Sequence, residues 1–490
     1  MPITGPTPLI KGVPPTTEHH RTPQLDLLLV NAPLRDYALR PRVNDYTLPV
    51  LGMGYIATYA AAQGFTVGVL DAEAAGLPVA DTLAAVNAAA PRWAGFNLLA
   101  PTYEISAAIA AGLDDGIRLM VGGHHAKAMP TRILTDPRLA RATLILGEAE
   151  TRVAALLADH RTRADLPGVM WIDPILNTPV TGGRPGTGHH LAPDIDALPF
   201  VDRTYLAQDP YLADDGRIEA NMVGARGCPY DCSFCGAAVS ANPDVSIRVR
   251  TPANILAEMH QLRDERGVTA FRFVDDLFLG ARRVITSMMD AFAAERVGDW
   301  AVWDATGRIN VLHRVPDATL DLLAACGLRE VALGIESGSE RMLEYIDKRI
   351  TRDMITSVVE RLTARGIRVK GYFILGFPGE TRAELAQTVD LIHRLWESTD
   401  ACPGAFRASV FQFRPYPGTP EWDRLMASGR YTAEQLLAYA PVDLGSTEEA
   451  LRGRDEFNFS SGLQFGEASE TEIHRHLAEL ARAQHARRSM

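Results

Sequence analysis

The sequence predicts an α/β protein: an open parallel sheet of the Rossmann type, then a partial (β/α)6 TIM-type barrel, then a small helical C-terminal cap. Three observations predict it. From residue 24 to about 160, short β-branched runs alternate with Ala-rich amphipathic stretches, the pattern of a parallel sheet covered by helices. A second alternation of six such units begins near Arg217. Between the two, residues 161–215 carry "TGGRPGTGHH" and "APDIDALPF", rich in the Gly and Pro that punctuate chains.

The elements follow in order. Residues 1–23 contain six prolines and no apolar core of signal-peptide length, so they read as a flexible leader. In 24–160 the runs "LDLLLVN", "TVGVLD", "WAGFNLL", "IRLMVGG" and "ATLILGE" read as strands. Residues 161–215 read as a linker. In 216–420 the strands are "RIEANMV", "AFRFV", "WAVWDA", "EVALGI", "VKGYFIL" and "ASVFQF", and function is expected on loops at their C-terminal ends. Residues 421–490 turn charged and helical and read as the cap.

Composition narrows the function. The 490 residues are 47% hydrophobic and 22% charged, which suits globular domains with sizeable cores. A net charge of −11 without a basic stripe argues against nucleic acid as a partner, and no apolar run reaches membrane-spanning length. Five cysteines are too few and too uneven for a disulfide framework, so a cytoplasmic, reducing setting is expected.

Three of the five thiols fall in "GARGCPYDCSFCGAA", as Cys228, Cys232 and Cys235. The loop follows a strand, with Gly227 and Gly236 relaxing the backbone and Pro229 restricting it. Thiolates at C-x3-C-x2-C spacing supply three of the four ligands that tetrahedral zinc or a 4Fe-4S cubane takes. Cys326 and Cys402 lie in other β/α units and no His follows at zinc-site spacing. A cubane with one iron left open is the stronger reading; an electron-carrying cluster would need a fourth protein ligand.

This stretch resembles the hallmark of the radical S-adenosylmethionine (SAM) superfamily, with Phe234 as the aromatic residue before the last Cys. The resemblance covers the barrel. It implies a 4Fe-4S cluster on Cys228, Cys232 and Cys235, SAM on the open iron, and a 5′-deoxyadenosyl radical that abstracts hydrogen from a small-molecule substrate. An electron donor such as flavodoxin or ferredoxin is implied as a partner.

Other strand ends match the same family. Asp275 and Asp276 in "FRFVDDLFLG" stand where the SAM amino group is held, or else stabilise a helix N-terminus. Glu336 and Ser337 in "LGIESGSE" stand where the SAM ribose or carboxylate is contacted, or cap the helix beginning near Ser339. In "GYFILGFPGET" the resemblance places Ile374 against adenine and Gly376 at a close backbone approach. Tyr416 in "FRPYPGTP" and Arg308 in "ATGRINVL" are candidate catalytic residues; packing and a surface salt bridge are their alternatives.

The first sheet carries "LGMGYIATYAAAQG", a G-x-G-x-x-A match about twenty residues too late to be a nicotinamide fingerprint. Taken with "GFNLLAPTYE", "VGGHHAKAMP" and "LILGEAET", the segment resembles the cobalamin-binding domain of the B12-dependent radical SAM branch. The resemblance implies corrin contacts at Leu48, Gly52, Thr102, Gly122, Gly123, His124, His125, Gly147 and Glu148. No D-x-H-x-x-G motif offers a cobalt-ligating His. His124 and His125 could ligate cobalt, contact the corrin or cap the next segment.

The function expected is hydrogen abstraction followed by methyl transfer from methylcobalamin, in a setting of antibiotic or other secondary-metabolite biosynthesis. The alternative is a cobalamin-free radical SAM lyase, a diol dehydratase or deoxygenase acting on an aminoglycoside-type sugar.

Overall fold

The computed structural model describes residues 9–12, 24–39, 49–183, 193–242, 247–439, 459–460 and 462–488. Apolar runs such as "LLLVN" and "VGVLD" form strands buried on both faces, which only a helix-covered parallel sheet accommodates. The five parallel strands are Leu27–Asn31, Val67–Asp71, Trp93–Asn97, Arg118–Gly122 and Thr143–Ile145. In space their order is second, first, third, fourth, fifth. Helices Val79–Ala89 and Tyr103–Ala111 cover one face through Val86, Tyr103 and Ala107; Leu51–Ala62 and Glu150–Ala158 cover the other through Met53, Ala57 and Leu156. In that strand order the topological switch lies between Leu27–Asn31 and Trp93–Asn97, and the carboxyl edge there is the expected ligand crevice.

Three short antiparallel strands extend this sheet. Ile10–Lys11, inside the segment read as a leader, pairs with Val67–Asp71. Val169–Ile172 and Pro179–Thr181, inside the segment read as a linker, lie beyond Thr143–Ile145. Antiparallel pairing needs no crossover helix, so these strands leave no β/α alternation to read.

The second sheet is the half-barrel. Its parallel strands are Ile218–Met222, Ala270–Phe273, Val302–Gly307, Leu328–Glu336, Arg368–Leu375 and Phe406–Gln412, in sequence order, with Tyr211–Leu212 antiparallel at one edge. Outward side chains pack under the surrounding helices. Trp303 is fully buried there, with Phe273, Phe278 and Phe292 edge-on at 6.0, 6.1 and 5.7 Å.

The amino-terminal end of the half-barrel is plugged by charge. Arg272 pairs with Glu219 (2.9 Å), and Arg329 with Glu219 (2.7 Å) and Asp304 (2.6 Å). Chemistry is therefore left to the carboxyl end. After the sixth strand come helices Pro420–Ala427, Ala433–Leu436 and Glu470–Arg488, the last packed on Phe406–Gln412. Among the described residues, no helix is long and apolar enough to cross a membrane.

Candidate functional site

The two carboxyl edges meet, and the cysteine loop lies where they do. As the chain leaves Ile218–Met222, the Gly224 amide donates to Asp275 Oδ1 (2.8 Å), while Arg250 donates to the carbonyls of Val223 and Gly224. A Cβ on Gly224 would stand 2.5 Å from the Phe278 ring, so the close approach requires glycine. Ala225–Arg226 pairs with Arg248–Val249, Gly227 turns with φ at +85°, and the triplet follows.

Cys232 is buried and Cys228 and Cys235 are half-buried. Arg308 donates to Cys232 Sγ at 3.2 Å, and the Ala237 amide to Cys235 Sγ at 3.4 Å. The Ser233 amide ties the loop to Ile346 O (3.1 Å). Burial pushes the Cys235 thiol up to about 12 and the Cys228 thiol in the same direction. Without a metal these thiols hold their protons; a bound metal deprotonates them outright.

The donor set fits a cubane better than a single ion. All three donors are thiols of one loop, and N–H groups already point at two of the sulfurs. A cubane takes its three thiolates on three different irons, farther apart than the vertices around one zinc. The N–H donors on sulfur and the nearby cations are what a buried anionic cluster needs.

Arg308 is not at the surface: it is 7% exposed, donates to Lys348 O (2.6 Å) and lies over the Tyr230 ring at 3.8 Å. Lys348 pairs with Glu336 at 2.7 Å, both buried, and sits 5.8 Å from the Phe234 ring. Glu336 has φ at +70°, in a register shift of the fourth strand, so its backbone is strained to aim the carboxylate at Lys348. The Ser337 hydroxyl faces inward, accepting the Ser339 N–H (3.1 Å) beside Thr388 Oγ1 (3.2 Å), and Ser339 caps Glu340–Tyr345.

Asp275 is buried and Asp276 exposed beside it. Neither caps a helix, since the next one begins at Arg282 with no acidic residue in its first turn. Burial drives the Asp275 carboxyl up to about 7 against two backbone N–H donors, and its Oδ2 has no partner among the described residues.

At the fifth strand Ile374 lies half-buried beside Phe234, Phe377 and Tyr416 in an apolar cluster that also takes in Ala100 of the first domain. Gly376 has φ at +86° and donates to Glu380 Oε2 (2.6 Å); the approach it permits is that of Ile473, 2.6 Å from where a Cβ would be. Tyr416 packs edge-on to Phe459 at 5.2 Å.

On the first sheet, Leu48 lies outside the described residues. Gly52 is exposed, and among the described residues nothing lies within reach of its Cβ position, while at Gly122, which ends its strand, only Ile145 O does. Gly123 (φ +97°) lets two loops cross, since a Cβ would meet Asn97 Oδ1 at 2.2 Å. Thr102 is buried, and its hydroxyl accepts the Leu99 N–H (3.2 Å).

The two histidines begin helix His124–Ala128 and part ways. His124 opens between the domains, where desolvation lowers its pKa and Asp276 opposes that. His125 is 2% exposed with neither ring nitrogen bonded among the described residues; burial first, then Arg132, hold it neutral, with a pKa of about 4. Gly147 turns with φ at +90°, and Glu148 accepts from Arg226 and Arg248 across the domain junction.

The residues that brace the cysteine loop escaped the sequence reading. Arg203 pairs with Asp209 (2.8 Å) and Glu258 (2.9 Å), and Arg250 with Glu258 (2.5 Å), all buried. Lys348 and Arg226 belong with them. Arg226 stood inside the quoted motif, yet its partners are 76 and 78 residues away, beyond any local signal.

Comparison with known proteins agrees with this geometry. Residues 222–392 match the family model described as Radical SAM superfamily, and residues 43–157 the one described as B12 binding domain. An uncharacterised methyltransferase of Pyrococcus horikoshii is 26% identical over 85% of this chain and 86% of its own length. The cytidylyl-2-hydroxyethylphosphonate methyltransferase of Streptomyces wedmorensis is 26% identical over 65% of this chain and 62% of its own length. The radical SAM methyltransferase TsrM of Kitasatospora setae, solved with cobalamin and a 4Fe-4S cluster, superposes with a TM-score of 0.65 at 18% identity. That match covers 93% of this chain and 91% of TsrM. The cysteine loop, the strand order of both sheets and the two family-model matches lead to one conclusion: the chain is an enzyme that joins a B12-binding domain to a radical SAM domain.

Proposed function

We propose that the protein is a cobalamin-dependent radical SAM methyltransferase acting on a small molecule. The observation that carries this reading is the direct junction of the cysteine loop with the carboxyl edge of the first sheet, through Arg226, Glu148 and Glu150. A radical site and a methyl-donor site built at that junction would share one substrate.

When bound, the cofactors supply an electron for opening the SAM sulfonium and a methyl group for transfer. The chain supplies the rest. Cys228, Cys232 and Cys235 would hold the cluster, with Arg308 and Lys348 balancing its charge. Phe234, Ile374, Tyr416 and Phe459 would keep water from the carboxyl end of the barrel. Gly52, Gly122, Gly147 and His124 would border the corrin. A one-electron donor of the flavodoxin or ferredoxin class completes the requirements.

Anaerobic reconstitution with iron, sulfide, SAM and hydroxocobalamin tests the proposal. Retained corrin absorbance and formation of S-adenosylhomocysteine are expected. An empty first domain, with 5′-deoxyadenosine formed in step with a dehydrated product, would overturn methyl transfer in favour of the lyase reading.

A further inference from the structure

We propose that Arg226 is a positioning residue. Together with the Lys127–Asn242 pair, it fixes the register between the cysteine loop and the carboxyl edge of the first sheet. What that register serves rests on the function proposed above; that it exists does not.

Arg226 stands two residues before Cys228. Its Nη1 donates to Glu148 Oε2 (2.8 Å), its Nη2 to Glu150 Oε1 (2.7 Å), and its plane lies 5.0 Å over the Tyr55 ring. Those partners come from three pieces of the first domain: the loop after Thr143–Ile145, helix Glu150–Ala158 and helix Leu51–Ala62. A planar fork with one aromatic and two carboxylate partners specifies direction as well as distance, which an ammonium would not. Arg248, register partner of Arg226, donates to Glu148 as well, so two cations meet two carboxylates. The Arg226, Glu148 and Glu150 side chains are only 17, 14 and 4% exposed, which spares these pairs the screening that weakens surface ones.

The other end of the triplet is tied separately. Lys127 Nζ donates to Asn242 Oδ1 (2.9 Å), and Asn242 Nδ2 donates to the carbonyls of Gly236 (2.7 Å) and Ala238 (2.9 Å), which follow Cys235. Lys127 belongs to His124–Ala128, on a different loop of the same edge. One attachment would hold the loop to the edge of the first sheet at a single point and leave its orientation to that edge open. Two attachments on either side of it do not. The first domain has a separate apolar contact, of Leu51 and Tyr55 with Leu198, Val201 and Leu206 of the segment that leads to the barrel, and Val223 packs against it.

Glu150→Gln tests the inference, because it takes the charge from the acceptor of one arm of the fork and touches neither the cysteines nor the glycines of the edge. Asn242→Ala tests the second tie. In the full chain without cofactors, hydrogen exchange is read at 146–150 and 224–238 for Glu150→Gln, and at 123–128 and 235–242 for Asn242→Ala. Exchange in both members of each pair is expected to rise together by roughly 10-fold, the loss of one charge-assisted bond. In reconstituted enzyme, iron content is expected to stay at the wild-type level while the ratio of 5′-deoxyadenosine to methylated product rises up to about 100-fold, as misplaced reacting groups allow.

Faster exchange confined to the mutated side would overturn the inference. So would faster exchange on both sides with an unchanged product ratio. If wild-type protein retains no corrin, the methyl-transfer reading fails and the exchange measurement alone decides the register.

Discussion

The Arg308 guanidinium donates to the sulfur of Cys232 across 3.2 Å, and its other terminal nitrogen holds the carbonyl of Lys348. A cation so fixed stabilises the more negative state of any cluster bound there. Replacing Arg308 with Met should lower the cluster's reduction potential by roughly 65–130 mV, the electrical equivalent of one hydrogen bond to a charged group. A redox titration followed by electron paramagnetic resonance measures it.

Each of Cys228→Ser, Cys232→Ser and Cys235→Ser should abolish retention of iron and sulfide after anaerobic reconstitution. Cys402→Ser, at a half-buried thiol outside the loop, should leave both at the wild-type level. Metal analysis with the visible spectrum separates the two outcomes.

Glu258 stands between two buried guanidinium groups, at 2.9 Å from Arg203 and 2.5 Å from Arg250. Glu258→Ala strands the Arg250 charge while Arg203 keeps Asp209, and breaking a buried pair in this way costs about 3–5 kcal/mol. Chemical denaturation should show that loss in the domain that contains the barrel. Arg250 also holds Val223 O, so weaker iron retention should accompany it.

Burial raises the Glu380 carboxyl to about 7 from an ordinary 4.5, despite the Gly376 amide at 2.6 Å. The folded chain therefore keeps a proton that the unfolded chain has released between those two values. Its stability falls as pH rises through that window, with a slope of at most about 1.4 kcal/mol per pH unit. Glu380→Gln should flatten the slope between pH 4.5 and 7. Denaturant midpoints at pH 5 and pH 8 for both proteins check the sign.

The parts visible in the sequence are those written locally. Eleven parallel strands showed as apolar runs, and the triplet showed because three thiols crowd eight positions. The antiparallel edge strands did not show, because two to four residues carry no period. His124 and His125 are neighbours in sequence, but successive helical positions point about 100° apart, so one opens to the junction and the other is sealed beside Tyr103. The braces Arg203, Arg250 and Arg226 depend on partners brought near only by folding, and a charged residue without its partner looks like any solvated one. At Ser337 the motif suggested a ligand contact or a helix cap, and Ser339, which its hydroxyl engages together with Thr388, is the residue that caps the helix.

Helix Glu470–Arg488 bears on how the enzyme can be handled. A half-barrel has lateral borders that a closed barrel lacks, and the border at Phe406–Gln412 is screened by this helix, with the Ala408 amide donating to Gln484 (2.9 Å) and Leu480 sunk into the core. Trimming the chain before Glu470 would bare a row of peptide groups ready to recruit a strand from a second molecule. Helix Glu470–Arg488 thus keeps the open border of the half-barrel covered from within its own chain.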